Sequence, residues 1–194
     1  MMLTLADHNC RLFVWFRVLF NARFYYPVLA ILFLDLGLSA TQYTLLNFAW
    51  ALAIVFAEVP FGVLADRLGR RPLLVAAGVC MLAEMAVLAV APRDGGLLLF
   101  LFCLLNRVLS GMAEALASGA DESLAFESLA NADRRDDWPK VLAQVMHWQS
   151  LAMVLAMLLG SAVYDPQLLN RLAAWLGPAW RFDLGTTLRF PIYL

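Results

Sequence analysis

Charge is scarce in this sequence: 15% of its 194 residues are Asp, Glu, Lys or Arg, against 63% hydrophobic, and the mean hydropathy is +0.75. A soluble globular domain needs about a quarter of its residues charged, so that class is excluded and the chain is expected to reside in lipid. The net charge of -1 leaves no basic face once the loop arginines are assigned to membrane orientation, which excludes a nucleic-acid partner. Cysteine is limited to Cys10, Cys80 and Cys103. Their number is odd and two of them fall inside apolar runs, so they read as small packing residues rather than a disulfide framework or metal cluster. A cleavable leader is also lacking: Arg11, Arg17 and Arg23 are interspersed with the first apolar residues and no small-residue cleavage site follows, so the first span is expected to be an uncleaved anchor. No G-x-S-x-G setting surrounds Ser110, Ser118 or Ser150, the serines that would have to work with His147. No enzyme activity, catalytic residue, metal or cofactor is therefore expected.

What the sequence has instead is long apolar runs, and they predict an all-α polytopic membrane protein. A cytoplasmic arm with an amphipathic tendency is expected over 1–16, then spans at about 17–38, 43–65, 72–91, 97–120 and 141–163, each long enough for a hydrocarbon core of ~30 Å. Pro27 falls inside the first span, where neighbouring groups can satisfy the carbonyl it frees. Tyr25 and Tyr26 either line a pathway or anchor an interface. Residues 164–185 form an expected outside loop with a short interfacial helix carrying Leu168, Leu169, Leu172, Trp175, Leu176 and Trp180. A sixth apolar segment starts at Thr186, but nine residues of helix reach only ~13 Å, so the chain reads as truncated. Arg11, Arg17, Arg23, Arg67, Arg70, Arg71, Arg134, Arg135 and Lys140 map to one side, and Arg93, Arg171, Arg181 and Arg189 to the other. That asymmetry places the amino terminus inside, with Arg93 and Asp94 on an outer loop.

Polar residues inside the spans recur at helical spacing. On span two, Asn47, Ala51, Ile54, Glu58, Gly62 and Ala65 share a small, polar face that should avoid lipid. Glu58 lies ~12 Å up the helix from Asp66 and is either a functional intramembrane carboxylate or a hydrogen-bond partner of a neighbouring helix. Span three has Gly78 as a packing site and Glu84 as its only charge. On span four, Arg107, Gly111, Glu114, Ser118 and Asp121 form one stripe that must face a cavity or partner charges, because lipid exposure is costly. That helix is expected to continue through the polar stretch after Asp121 and to break near Asn131, with Pro139 in the first turn of span five. On span five, Gln144, His147 and Ser150 are three residues apart, and His147 is either a proton acceptor or a packing residue.

Between spans two and three, Gly62 to Arg71 reads G-V-L-A-D-R-L-G-R-R, a tight turn followed by Pro72. The pattern closely resembles the cytoplasmic loop signature of the major facilitator superfamily of secondary transporters. E-V-P-F-G before it resembles a lead-in found in part of that family, and N-R-V-L-S-G resembles its fourth-span signature. The resemblance covers nearly the whole chain and implies a family-type amino-terminal helical lobe over 17–194, five spans plus a truncated sixth, one of two pseudo-symmetric lobes. It implies a small-molecule substrate moved by alternating access, proton coupling, membrane lipid around the protein, a missing carboxy-terminal lobe and a bacterial inner membrane. It also implies a gate built from Gly62, Asp66, Arg67, Gly69, Arg70, Arg71 and Asp121, in which Asp66, Arg70 and Asp121 form a charge relay. Arg107 would serve proton coupling or substrate contact, or would pair structurally with Glu84, Glu58 or Glu114. Glu58, Glu84, Arg107, Glu114 and His147 are the pathway candidates. The rival reading is a non-transporting or oligomerising fragment whose buried charges are structural. Tyr43, Trp50 and Trp148 suit a greasy or cationic solute, or simply pack the lobe.

Overall fold

The computed structural model describes residues 5–93, 95–177 and 181–194; the expected loop residue Asp94 and the expected interfacial residue Trp180 lie outside them. In chain order the helices are α1 (Leu5–Asn21), α2 (Leu29–Asp35), α3 (Ala40–Leu68), α4 (Arg70–Val90), α5 (Leu97–Ala117), α6 (Ala120–Ala130), α7 (Trp138–Tyr164), α8 (Pro166–Leu176), α9 (Leu184–Thr187) and α10 (Phe190–Tyr193). Five helical segments among the described residues are long and apolar enough to cross a membrane: Leu5–Asp35, Ala40–Leu68, Arg70–Val90, Leu97–Ala130 and Arg135–Tyr164.

The first segment departs from expectation twice. It is helical from Leu5, so the region expected as an arm belongs to the same helix as the start of the span. It is then interrupted after Asn21 and resumes through a 3-10 turn at Tyr26–Val28. Pro27 supplies the cause: its ring would collide with the carbonyl four residues back, that of Arg23, and it has no N–H to close the ladder. The Arg23 carbonyl instead accepts from the Tyr26 N–H, and the Tyr25 carbonyl from the Val28 N–H. A second interruption divides the fourth segment. Gly119 turns the chain with φ of +69°, a left-handed conformation that glycine adopts without cost, and α6 starts afresh with Asp121 and Glu122 in its first turn. Both carboxylates there sit favourably at a helix amino terminus. The expected break near Asn131 is also present, as the carboxy-terminal cap of α6.

Segment lengths explain the shape of one face. The 31 residues of Leu5–Asp35 would reach ~46 Å as continuous helix and the 34 of Leu97–Ala130 ~51 Å, whereas the 21 of α4 reach only ~31 Å. The surplus collects on the face that carries the 62–71 motif, where α1, α6 and the start of α7 pack through Ala6, Cys10, Phe13, Ala125, Leu129, Val141 and Val145. Phe13 stacks on Trp138, Asn9 donates to Ser128 at 2.8 Å, and Arg134 reaches Asp7 at 2.8 Å. Within the spans, α5 is central, flanked by α3 and α4. Gly111 lets α5 approach the α3 backbone, since a Cβ there would lie 2.7 Å from the Trp50 carbonyl and 2.8 Å from the Ala53 side chain. Small residues at such crossings replace the hydrophobic drive that lipid removes.

On the opposite face, α8 starts from Asp165, whose carboxylate accepts from the Gln167 N–H at 2.8 Å. The last residues fold back as the two one-turn helices α9 and α10. Thr187 donates to the Tyr164 carbonyl at 2.9 Å, Arg93 to the Gly185 carbonyl at 2.6 Å, and Arg189 to the Ala91 carbonyl. Asp183 caps α9, and bonds from Thr186 hold its carboxyl below the ordinary value.

A candidate transport site around a buried arginine

The interruption of the first segment places Arg23, which the sequence assigned to membrane orientation, inside the protein at 5% exposure. Its guanidinium reaches carboxylates of two other helices: Glu114 on α5 at 2.7 Å and Glu84 on α4 at 3.5 Å. It also donates to the Ser110 hydroxyl at 3.1 Å, to the Phe20 carbonyl at 3.2 Å and to the Tyr26 hydroxyl. Phe20 and Tyr26 lie within stacking range of its plane, with ring centres 5.1 and 5.0 Å from the central carbon. Glu84 is fully buried and accepts from the Tyr25 hydroxyl at 3.0 Å. Tyr25 and Tyr26 thus serve the cluster rather than an interface.

The two terms that govern such a cluster are of similar size. At 4 Å and an effective dielectric constant of 20 a charge pair gains about 4 kcal/mol, while removing each ion from water costs several. The complete cluster is therefore near balance, and the costly state is one with a member missing.

Arg107 does not take the carboxylate partner considered for it. Its Nε donates to Asn106 at 3.1 Å, its guanidinium lies 5.8 Å from the Phe33 ring centre, and it makes no ion pair with any described residue. Asn106 is itself held by a 2.8 Å bond to the backbone carbonyl of Glu84. The stripe on the fourth segment opens onto a cleft of about 940 Å³, which Arg107, Glu114, Ser118 and Asp121 line together with Tyr26, Tyr43, Asn47, Trp50 and Ile54. Gly111 on the same stripe is consumed by the contact with α3. Glu58 is exposed, outside the cleft lining, and accepts from the Ser118 hydroxyl at 3.5 Å. His147 is exposed on α7 beside Trp148 and does not line the cleft.

The motif region also differs from the expected relay. No loop is present: α3 runs through Asp66 and Arg67 to Leu68, Gly69 alone turns the chain with φ of +84°, and α4 starts at Arg70. Asp121 is buried and held by Arg17, whose Nη2 lies 3.0 Å from Oδ1 and which also reaches Glu122 at 2.8 Å. Arg70 pairs instead with Glu127, more than a turn further along α6. Asp66, Arg67 and Arg71 are exposed, and none of them makes an ion pair with a described residue. The left-handed Gly119 is the reason: it restarts the helix and carries α6 off the line of the α5 stripe, so the acid that meets Arg70 comes from a different register. A Cβ at Gly62 would meet nothing within 4 Å.

Comparison with known proteins adds one finding. A family model described as Major Facilitator Superfamily matches residues 12–178. No curated protein and no solved structure matches the chain.

Proposed function

The chain belongs to the Major Facilitator Superfamily, a family of solute transporters, and from that premise we propose that its helices act as one lobe of an alternating-access carrier driven by protons. The observation that carries this reading is the junction at Glu114: the same carboxylate lines the cleft and binds the buried Arg23. Protonation of Glu114 would remove one of the two acids holding Arg23 and alter the cleft wall in the same step. Glu84 is the reserve partner, and its fixed position makes it the second proton-linked group. Glu58 touches the cleft only through the Ser118 hydroxyl and His147 lies off it, so neither is assigned a part in coupling.

On this reading the cleft is half of the solute path and a second lobe faces it, with Gly62 the point of close helix approach and Arg70–Glu127 and Arg17–Asp121 the pairs that hold the motif face shut. The basic residues of that face support an orientation with the motif and the amino terminus in the cytoplasm, in a bacterial inner membrane. Single cysteines at positions 71 and 136 should then label from the cytoplasmic side only, and one at 93 only from the other; labelling of 93 from inside would reverse the topology.

For coupling, the full chain is reconstituted in vesicles carrying a pH-sensitive dye, and a panel of small solutes is added outside. A solute-dependent change in lumenal pH is expected, reduced at least tenfold in Glu114→Gln while membrane insertion is retained. Equal proton flux in wild type and Glu114→Gln would remove the coupling role. An oligomerising membrane protein is the second reading, and one observation favours it: Phe48, Val55, Phe56 and Val59 leave α3 with an exposed apolar face. A stable oligomer in gentle detergent, together with no solute flux, would select it.

A further inference from the structure

Three of the four arginines that map away from the motif face meet at one place. Arg93, just beyond the end of α4, lines a pocket of about 500 Å³ together with Arg181, Arg189 and the rings of Phe182, Phe190 and Tyr193. No acid is among the described residues of that lining, and none of the three arginines makes an ion pair with a described residue. Asp183, which follows Phe182 in the chain, is occupied in capping α9, where its carboxylate accepts from the Thr186 N–H at 2.8 Å. Arg93 donates to the Gly185 carbonyl and Arg189 to the Ala91 carbonyl, and the buried Nε of Arg189 finds no partner among the described residues. A guanidinium carries five donors, so three of them hold far more than those two bonds consume.

The neighbouring helix α8 sets what can reach this pocket. Asn170 fastens α8 to the pocket wall through the Phe182 backbone, accepting from its N–H at 2.7 Å and donating to its carbonyl at 2.8 Å. Leu168, Leu172 and Trp175, at i, i+4 and i+7, leave α8 with one exposed apolar stripe, and Trp175 is 93% exposed. Because α8 follows directly on the end of α7 at Tyr164, the stripe lies at the depth where a span leaves the lipid, the level at which tryptophan is enriched. We propose that this platform binds an anionic phospholipid of the leaflet on that side, the stripe resting on the acyl boundary and the arginines taking the headgroup phosphate. Charge-assisted bonds from planar guanidinium forks to phosphate oxygens supply the recognition. The headgroup carries no cation of its own, since an ammonium would meet three guanidinium groups. The assignment needs only a chain that spans the membrane and is independent of solute transport and proton coupling.

Purified full-length protein in nonionic detergent is titrated with dihexanoyl phosphatidylglycerol, with dihexanoyl phosphatidylcholine and with inorganic phosphate, following the thermal unfolding midpoint. Phosphatidylglycerol should raise the midpoint and bind at least fivefold tighter than phosphatidylcholine, while phosphate at the same concentration leaves the midpoint unchanged. Arg181→Gln should cut that preference at least threefold with the unliganded midpoint unaltered. Trp175→Ala should weaken both lipids alike, because it removes apolar contact and no charge. Arg135→Gln, an equal loss of charge on the motif face, should keep the preference. Equal affinity for the two lipids in the wild type would overturn the proposal. So would an Arg181→Gln variant that keeps the preference, or an Arg135→Gln variant that loses as much of it, which would make the effect one of overall charge. A midpoint raised as far by inorganic phosphate as by phosphatidylglycerol would give the pocket to a free anion and overturn the lipid assignment.

Discussion

Arg23→Gln is expected to cost about 3–5 kcal/mol of stability, the usual penalty for breaking a buried ion pair from one side, because it strands Glu84 at zero exposure and releases Glu114. The same change removes the donors to Ser110, to the Phe20 carbonyl and to Tyr26, which together hold the interrupted chain in place. Yield of monodisperse protein in detergent and the thermal midpoint would both fall. The informative comparison is the triple variant Arg23→Gln, Glu84→Gln, Glu114→Gln, in which the arginine and both of its acids are neutral. It should recover most of the lost stability, whereas Glu84→Gln and Glu114→Gln without the arginine change should not match the wild type. If the triple variant is as unstable as the single one, the cluster is held by packing and the charges are incidental.

Gly160→Ala should be nearly as damaging, for a steric reason. A Cβ at position 160 would lie 1.7 Å from the Phe24 carbonyl oxygen and 2.7 Å from its carbonyl carbon, and backbone cannot move aside as a flexible side chain does. The added methyl has to push α7 away from the interrupted segment, and overpacking of this kind costs about 1–3 kcal/mol or more. Gly78→Ala provides the control, because nothing lies within 4 Å of its Cβ and alanine is the better helix former by about 1 kcal/mol. Unfolding midpoints that drop for Gly160→Ala and hold or rise for Gly78→Ala are the expected result; equal midpoints would mean that the first segment does not seat against α7 as described.

Both predictions concern residues to which the sequence reading gave no such role, and the reasons are physical. The five segments were legible because apolar runs of spanning length are a strong signal, and the stripe on the fourth segment was legible because its spacing is helical. Arg23 was not, since an arginine near Arg17 and two tyrosines looks like an interfacial anchor. The signal that would have found it is Pro27, four residues later, whose ring excludes a continuous helix and so brings the guanidinium to an interrupted, inward position. The relay failed through register. Helical arithmetic places Asp121 on the stripe and at the depth of the motif, but it does not include the restart at Gly119, which gives Arg70 a different acid and leaves Asp121 to Arg17. Pairing with an acid was one of the readings open for Arg107, because buried charges are normally paired; Glu84 and Glu114 instead meet Arg23, which the sequence had assigned to the cytoplasmic end of the first span.

Arg23 and its two acids also impose an order on synthesis. Glu84 and Glu114 lie 61 and 91 residues further along the chain, so the first segment leaves the ribosome with Arg17 and Arg23 and none of the groups that will neutralise them. An arginine near the middle of a lone apolar helix adds roughly 2.5–3.5 kcal/mol to the cost of insertion. The first of the five described segments is therefore the one least able to settle in lipid alone, and it is also the least apolar of them. Its final seat becomes available only when the fourth segment arrives, so the nascent chain must hold its first helix at the water boundary, or within the insertion machinery, until that point.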